Sequence, residues 1–233
     1  MKIETKILDQ FLTETRMGEI QTCLLEFKEE GLFISAMSLT NSHKAEGLLK
    51  ASSFIEYEAI GNVGVDELDK LVKVFKKLGK ELEFKVEGNL LEAKGAKKGL
   101  TFELVDEKFI EKSKTLPQME HNTTFDIPGE TIAEFLSDAK ENTDVAIIFE
   151  TVDGGVKISN TGKYRFHSNI DSLGTTAGQK IKLGNPLIAA LTGIKTGTLK
   201  FHAKTNYPML VNRETEHHSI TFMLAPLVDK GFE

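Results

Sequence analysis

The chain repeats itself, and that restricts what it can fold into more than any other feature. Phe11-Leu12 recurs as Phe135-Leu136, and Ile34-Ser35 recurs as Ile158-Ser159 at the same offset. At a slightly shorter offset Leu71 recurs as Leu191, and LTFEL beginning at Leu100 recurs as ITFML beginning at Ile220. One matching dipeptide arises by chance, but four in register argue for duplication of a unit of about 115 residues, far longer than a solenoid repeat. With 233 residues, 40% of them apolar, each half is large enough for its own core.

Within each half the order is helix, strands, helix, strands. Leu68, Leu71, Val72 and Phe75 have the spacing of one buried helical stripe, and Lys70, Lys73 and Lys77 share the opposite face. Gly79 follows where a helix C-cap belongs. Comparable stripes are Leu8, Phe11, Leu12 and Thr15; Ile132, Phe135, Leu136 and Ala139; and Leu187, Ala190, Leu191 and Ile194. Leu82, Phe84 and Val86 alternate with charged residues, the period of a strand with one wet face, and Glu87-Gly88-Asn89 reads as a hairpin turn. The same alternation runs through Leu100-Phe102-Leu104, Val156-Ile158, Leu199-Phe201-Ala203 and Ile220-Phe222-Leu224. The inventory predicts an α+β fold: two similar domains of antiparallel sheet, each with two short helices on one face. The boundaries are set at 1–105 and 125–233, with the polar, aperiodic stretch 106–124 as connector.

Charge sharpens the question of function. The chain carries 35 acidic and 29 basic side chains, a net charge of −6, which argues against a protein that coats nucleic acid over its whole surface. Any polyanion contact has to be local. The lysine face of the second helix is one such place, although a lysine-rich face is by itself more often a solvated surface. A lone Cys23 forms no internal disulfide, no leader-like run opens the sequence, and no apolar stretch approaches the roughly 20 residues that span a bilayer, so a soluble intracellular protein is expected.

Catalytic groupings are thin. His217-His218, with Glu216 and His202, is the best metal-like cluster, but adjacent strand residues point to opposite faces, and a solvent-facing hairpin is expected there. Cys23 sits in an apolar run and reads as an inert core thiol. Gly154-Gly155 after Asp153 reads as a turn, and there is no Walker-type loop. Asn122-Thr123-Thr124 matches a glycosylation sequon without meaning for a cytosolic chain. Asp66, Glu67 and Asp69 suit a helix N-terminus. No cofactor and no metal is expected.

Several segments together bring a family into view: EEGLFISAMS from Glu29, GVDELDKLVKVFKK from Gly64, LEFKVEGN from Leu82, TLPQME from Thr115, NYPMLV from Asn206 and FMLAPLV from Phe222. In order and spacing they resemble the sliding clamps of the proliferating cell nuclear antigen (PCNA) family, processivity factors of archaeal and eukaryotic DNA replication. The resemblance implies the DNA-clamp fold, three subunits closed into a ring, and helices lining a central hole through which duplex DNA passes. It implies a non-enzymatic scaffold that tethers DNA polymerase, ligase and nuclease peptides and is opened by a clamp loader, working in DNA replication and DNA repair. Its setting would be the cytoplasm of an archaeal, viral or plasmid host cell, or the nucleus of a eukaryote, with no membrane partner. Residues carried over as DNA-facing are Lys6, Arg16, Lys70, Lys73, Lys77, Lys140 and Lys195, the second half being poorer in such residues. Those carried over to a partner-peptide pocket are Met37, Leu39, Leu116, Pro208, Met223, Ala225 and Pro226. For the subunit joint, the strand near Lys97 to Leu104 would meet a strand over Lys163 to Asn169, with Leu100 and Phe102 against Tyr164 and Phe166. The connector departs from the family in Lys112 and Lys114, as does the segment after Met37 in Ser38 and Asn41, which suggests a different peptide preference. A subunit of a heteromeric clamp and, from another class, an undetected hydrolase or metal-binding enzyme remain as alternatives.

Overall fold

The computed structural model describes all residues except 17–19, 39, 111–115, 140–141, 143–145, 173–174, 185–190, 192 and 228–233. The chain divides into two compact units. The first comprises Met1–Met37, Ala45–Thr115 and Thr215–Ile220, and the second comprises Ser38–Lys44, Leu116–Glu214 and Thr221–Glu233.

In the first unit the elements are β1 (Lys2–Glu4), α1 (Thr5–Thr15), β2 (Cys23–Lys28), β3 (Gly31–Met37), β4 (His43–Lys50), β5 (Phe54–Glu56), β6 (Gly61–Val65), α2 (Leu68–Leu78), β7 (Glu81–Glu87), β8 (Leu90–Lys94) and β9 (Gly99–Glu103). One sheet runs β5-β1-β7-β8-β9, and the other strands lie in the order β6-β2-β3-β4. The predicted stripe of α2 is buried as read: Leu68, Leu71, Val72 and Phe75 all lie inside, and Leu78 joins them. Each such side chain contributes about 1.5–3 kcal/mol by leaving water. The helix α1 presses on β4 at Gly47, where an added Cβ would lie 2.9 Å from the Phe11 ring. The β7–β8 hairpin closes with Glu87 opposite Leu90, as the sequence suggested, and Gly88 takes φ 60°, a conformation glycine adopts without a Cβ clash.

The second unit contains β10 (Thr123–Pro128), α3 (Gly129–Ala139), β11 (Ile147–Val152), β12 (Gly155–Asn160), β13 (His167–Asp171), β14 (Lys180–Leu183), β15 (Thr198–Ala203), β16 (Met209–Glu214) and β17 (His218–Leu224), the last beginning in the first unit. Its strands follow the orders β10-β15-β16-β17 and β14-β11-β12-β13. Set beside β1-β7-β8-β9 and β6-β2-β3-β4, these are the same two arrangements, with β5 an addition in the first unit. The duplication seen in the sequence is therefore a duplication of topology. Three phenylalanines hold the core: Phe125 and Phe201, opposite each other on β10 and β15, stack with centroids 5.2 Å apart, and Phe149 of β11 lies 5.5 Å from Phe201.

Three short helices are described; the fourth predicted one, around Leu187 and Ala190, falls mostly outside the described residues, although Leu191 and Ile194 are buried. One strand differs from expectation. The strand expected over Lys163 to Asn169 begins at His167, and Tyr164 and Phe166 precede it. Asparagine side chains occupy the backbone groups that a ladder would need: Asn142 Nδ2 and Asn160 Nδ2 both donate to the Tyr164 carbonyl at 2.8 Å, and the Phe166 N–H donates to Asn160 Oδ1 at 2.6 Å.

Candidate functional site

The first candidate surface is the outer face of α1 and α2. The two helices lie together, tied by Lys76 to Asp9 at 3.0 Å. Lys70, Lys73 and Lys77 are all exposed. Two of them are locally balanced. Lys70 pairs with Glu67, whose hydrogen bond and charge raise the lysine's pKa, and Lys73 reaches Asp69 at 3.1 Å, whose carboxyl is held down mainly by that hydrogen bond. The acidic residues at the start of α2 thus serve as ion-pair partners as well as helix-dipole charges. Among the described residues Lys77 makes no ion pair, so its charge is fully presented to solvent. Lys6 is exposed on α1, and Arg16 is half-buried at its end. In the second unit Lys195 is exposed, Lys140 lies outside the described residues, and α3 exposes Glu130, Glu134 and Asp138. Among the described helices the exposed basic side chains are thus concentrated in the first unit.

The second candidate is a pocket of about 100 Å³ in the second unit, lined by Ser42, His43, Leu183, Leu224, Ala225 and Leu227. The segment after β17 forms one wall: the Ala225 N–H donates to the Ser42 carbonyl at 2.8 Å, the Leu227 N–H donates to the Lys182 carbonyl at 2.7 Å, and Pro226 bridges Leu183. Leu227 is 45% exposed, an apolar side chain held open to solvent. Of the residues named from the sequence, Ala225 lines this pocket. Met223, Pro226, Pro208 and Leu116 are half-buried, Met37 is 40% exposed in the first unit, and Leu39 lies outside the described residues. Pro208 is fixed by its carbonyl, which accepts from His121 Nε2 at 2.9 Å. Leu183 and Leu227 were missed because each looks like ordinary core or tail; their only signal was adjacency to the LAP tripeptide and to a strand end.

The third feature is a pair of strand edges. β9 ends one sheet of the first unit, and β13 ends the four-stranded sheet of the second. Leu100 and Phe102 are half-buried on β9. Tyr164, 56% exposed, and Phe166 stand just ahead of β13.

The residues set aside as catalytic behave variously. Cys23 is buried on β2, and burial pushes its thiol up to about 12. His218 corrects the solvent-facing expectation: it is 2% exposed, with Nε2 3.0 Å from Glu14 Oε2, under the ring of Phe11. The hint was Glu14 itself, a carboxylate inside an apolar helical stripe. His202 bridges Thr124 and Asn212, and burial foremost, then nearby His121, lowers its pKa. Among the described residues no group of three His, Cys, Asp or Glu side chains is placed to hold a metal, and no helix is long and apolar enough to cross a membrane.

No protein-family model matches this chain, and no curated protein matches it in sequence. Solved structures do. The PCNA of A. fulgidus, bound to the C-terminal region of FEN-1, superimposes with a TM-score of 0.87 over 98% of each chain at 19% identity. The chain has the sliding-clamp fold. The PCNA of Entamoeba histolytica follows at 0.85 and 15% identity, covering 97% of this chain and 98% of that one. A PCNA2–PCNA3 complex from Sulfolobus tokodaii follows at 0.82 and 16%, with the same coverage. Agreement over both full lengths means that this clamp fold contains the doubled unit entire, with no large insertion or missing element.

Proposed function

We propose that the chain is a DNA sliding clamp: copies of it close into a trimeric ring around duplex DNA and tether replication and repair enzymes to it. The observation that carries this reading is the end-to-end superposition on clamp subunits, at a TM-score of 0.87 with 98% of both chains covered. Two free strand edges, β9 and β13, support closure, because each presents the unpaired backbone groups that strand addition between subunits uses. The boundaries read from the sequence, 1–105, 106–124 and 125–233, are proposed as two clamp domains and their connector.

On this reading the exposed lysines of the first unit, Lys6, Lys70, Lys73 and Lys77, with Arg16 and the sparser Lys140 and Lys195, face the DNA. Phosphate contacts carry no sequence information, and a clamp needs none. With Lys70 and Lys73 already paired to acidic neighbours, the attraction is weak, which lets the ring slide rather than grip. Retention then comes from topology. The pocket beside Leu227, together with Met37, Leu39, Leu116, Pro208, Met223, Ala225 and Pro226, is proposed to take an apolar peptide from a polymerase, ligase or nuclease. The A. fulgidus protein bound to a FEN-1 tail supports that assignment. The joint would use Leu100, Phe102, Tyr164 and Phe166. The S. tokodaii complex of two different subunits keeps a heteromeric ring as the second reading. The protein acts as a scaffold without catalysis, in the cytoplasm or, in a eukaryotic cell, the nucleus.

Retention on DNA tests this. Loaded onto nicked circular DNA, the protein should stay bound through a salt wash and be released when the circle is linearised. Equal retention on circular and linear DNA would refute encirclement.

A further inference from the structure

The helices α1 and α3 are one helix used twice. The offset that carries Phe11-Leu12 to Phe135-Leu136 also carries the bounds Thr5–Thr15 to Gly129–Ala139, and the apolar positions beneath them match: Leu8, Phe11 and Leu12 in the first, Ile132, Phe135 and Leu136 in the second, all buried. Their outer faces differ in charge. Exposed Lys6 has exposed Glu130 as its counterpart, half-buried Gln10 has exposed Glu134, and Asp138 is exposed one turn further on. Spacing of four places these three carboxylates along one stripe of α3. Among the described residues none of the three is met by a cation. On α2, by contrast, Glu67 and Asp69 are answered by Lys70 and Lys73. The α3 stripe therefore repels itself, and Asp138 sits in the last turn, where the helix dipole favours a positive charge. Helix stability does not account for it.

We propose that α3 is a surface from which DNA phosphates are excluded: in each subunit α1 and α2 of the first unit hold the duplex, and Glu130, Glu134 and Asp138 of the second unit push it away. This rests on the ring reading, in which counterpart helices of a doubled fold meet the same duplex, and assigns those helices opposite roles. Phosphate and carboxylate repel over about 8 Å at physiological ionic strength, so the exclusion acts close to contact and fades as salt rises. Exposed Lys195, in the loop whose Gly197 carbonyl accepts the Gly129 N–H at 2.7 Å, sets one cation beside the start of the stripe. A closed ring of three subunits then attracts phosphate through one unit of each subunit rather than both, which loosens the grip that two basic units per subunit would exert.

The test is association of the full chain with a short labelled duplex, followed by fluorescence anisotropy at several salt concentrations, for wild type, Glu130→Gln/Glu134→Gln, Glu130→Lys/Glu134→Lys and Lys77→Ala. Neutralising the stripe should tighten association at low salt, because repulsion is removed without a new contact. Reversing it should tighten association further, about tenfold or more, and steepen the slope of log affinity against log salt by about 0.9 for every phosphate newly met. Lys77→Ala should weaken association. The substituted side chains are exposed, so thermal unfolding should show every variant folded as wild type is. Stripe variants that bind as wild type does, while Lys77→Ala binds more weakly, would overturn the exclusion and leave the ring reading standing. Weaker binding by the neutral variant would overturn it as well. If Lys77→Ala and the stripe variants all bind as wild type does, the exclusion and the DNA-facing assignment of these helices fall together.

Discussion

Lysine 77 and histidine 218 show how much one residue's surroundings decide. Both were visible in the sequence, but only the lysine's exposure could be read there, because helical spacing places it on an outer face whatever packs beneath. Removing Lys77, whose charge meets no partner among the described residues, should lower the salt slope of DNA association by about 0.9. Lys73→Ala should change it less, since Asp69 already balances Lys73 at 3.1 Å. Titration of duplex binding against salt checks both; equal slopes would show that the helix face is not in contact. His218 required the fold, because its partner Glu14 is distant in sequence. Replacing His218 by Ala removes one of the hydrogen-bond partners of a carboxylate that is 3% exposed, and denaturant unfolding should register a loss of about 1–3 kcal/mol. Cys23, its thiol pushed up to about 12 by burial, should resist alkylation at pH 8 in the native protein and react promptly once unfolded. Rapid native labelling would contradict its placement in the core.

At the scale of elements, periodicity carried most of the information. The buried stripes of α1, α2 and α3 and the alternation of β7, β12, β15 and β17 follow from residues whose burial depends only on helix or strand geometry. Periodicity failed at Tyr164 and Phe166, which alternate like a strand but have backbone groups engaged by Asn142 and Asn160, a fact of tertiary contact. The wall of the pocket at Leu227 was equally illegible, because it forms only when the chain after β17 bonds to Lys182 and Ser42. Leu227→Asp should leave thermal stability nearly unchanged, as the side chain is 45% exposed, yet abolish capture of an apolar partner peptide by calorimetry. The contact of α1 with β4 at Gly47 makes the opposite prediction: Gly47→Val forces the Phe11 ring aside and should cost about 1–3 kcal/mol in the same unfolding experiment.

For the whole molecule, the doubled sequence signal and the doubled strand order are one fact seen twice. On the proposed reading, a repeated unit with a free edge in each copy would offer two different edges to neighbouring subunits, so association would be head-to-tail and end only when a ring closes. What the sequence could not carry is the number of copies, which depends on the angle at each joint. The account therefore rests on an opening large enough for duplex DNA. Electron microscopy of the protein, in the state that stimulates a polymerase, should show closed three-copy rings with a central hole. Compact particles without an opening, in equally active material, would contradict it.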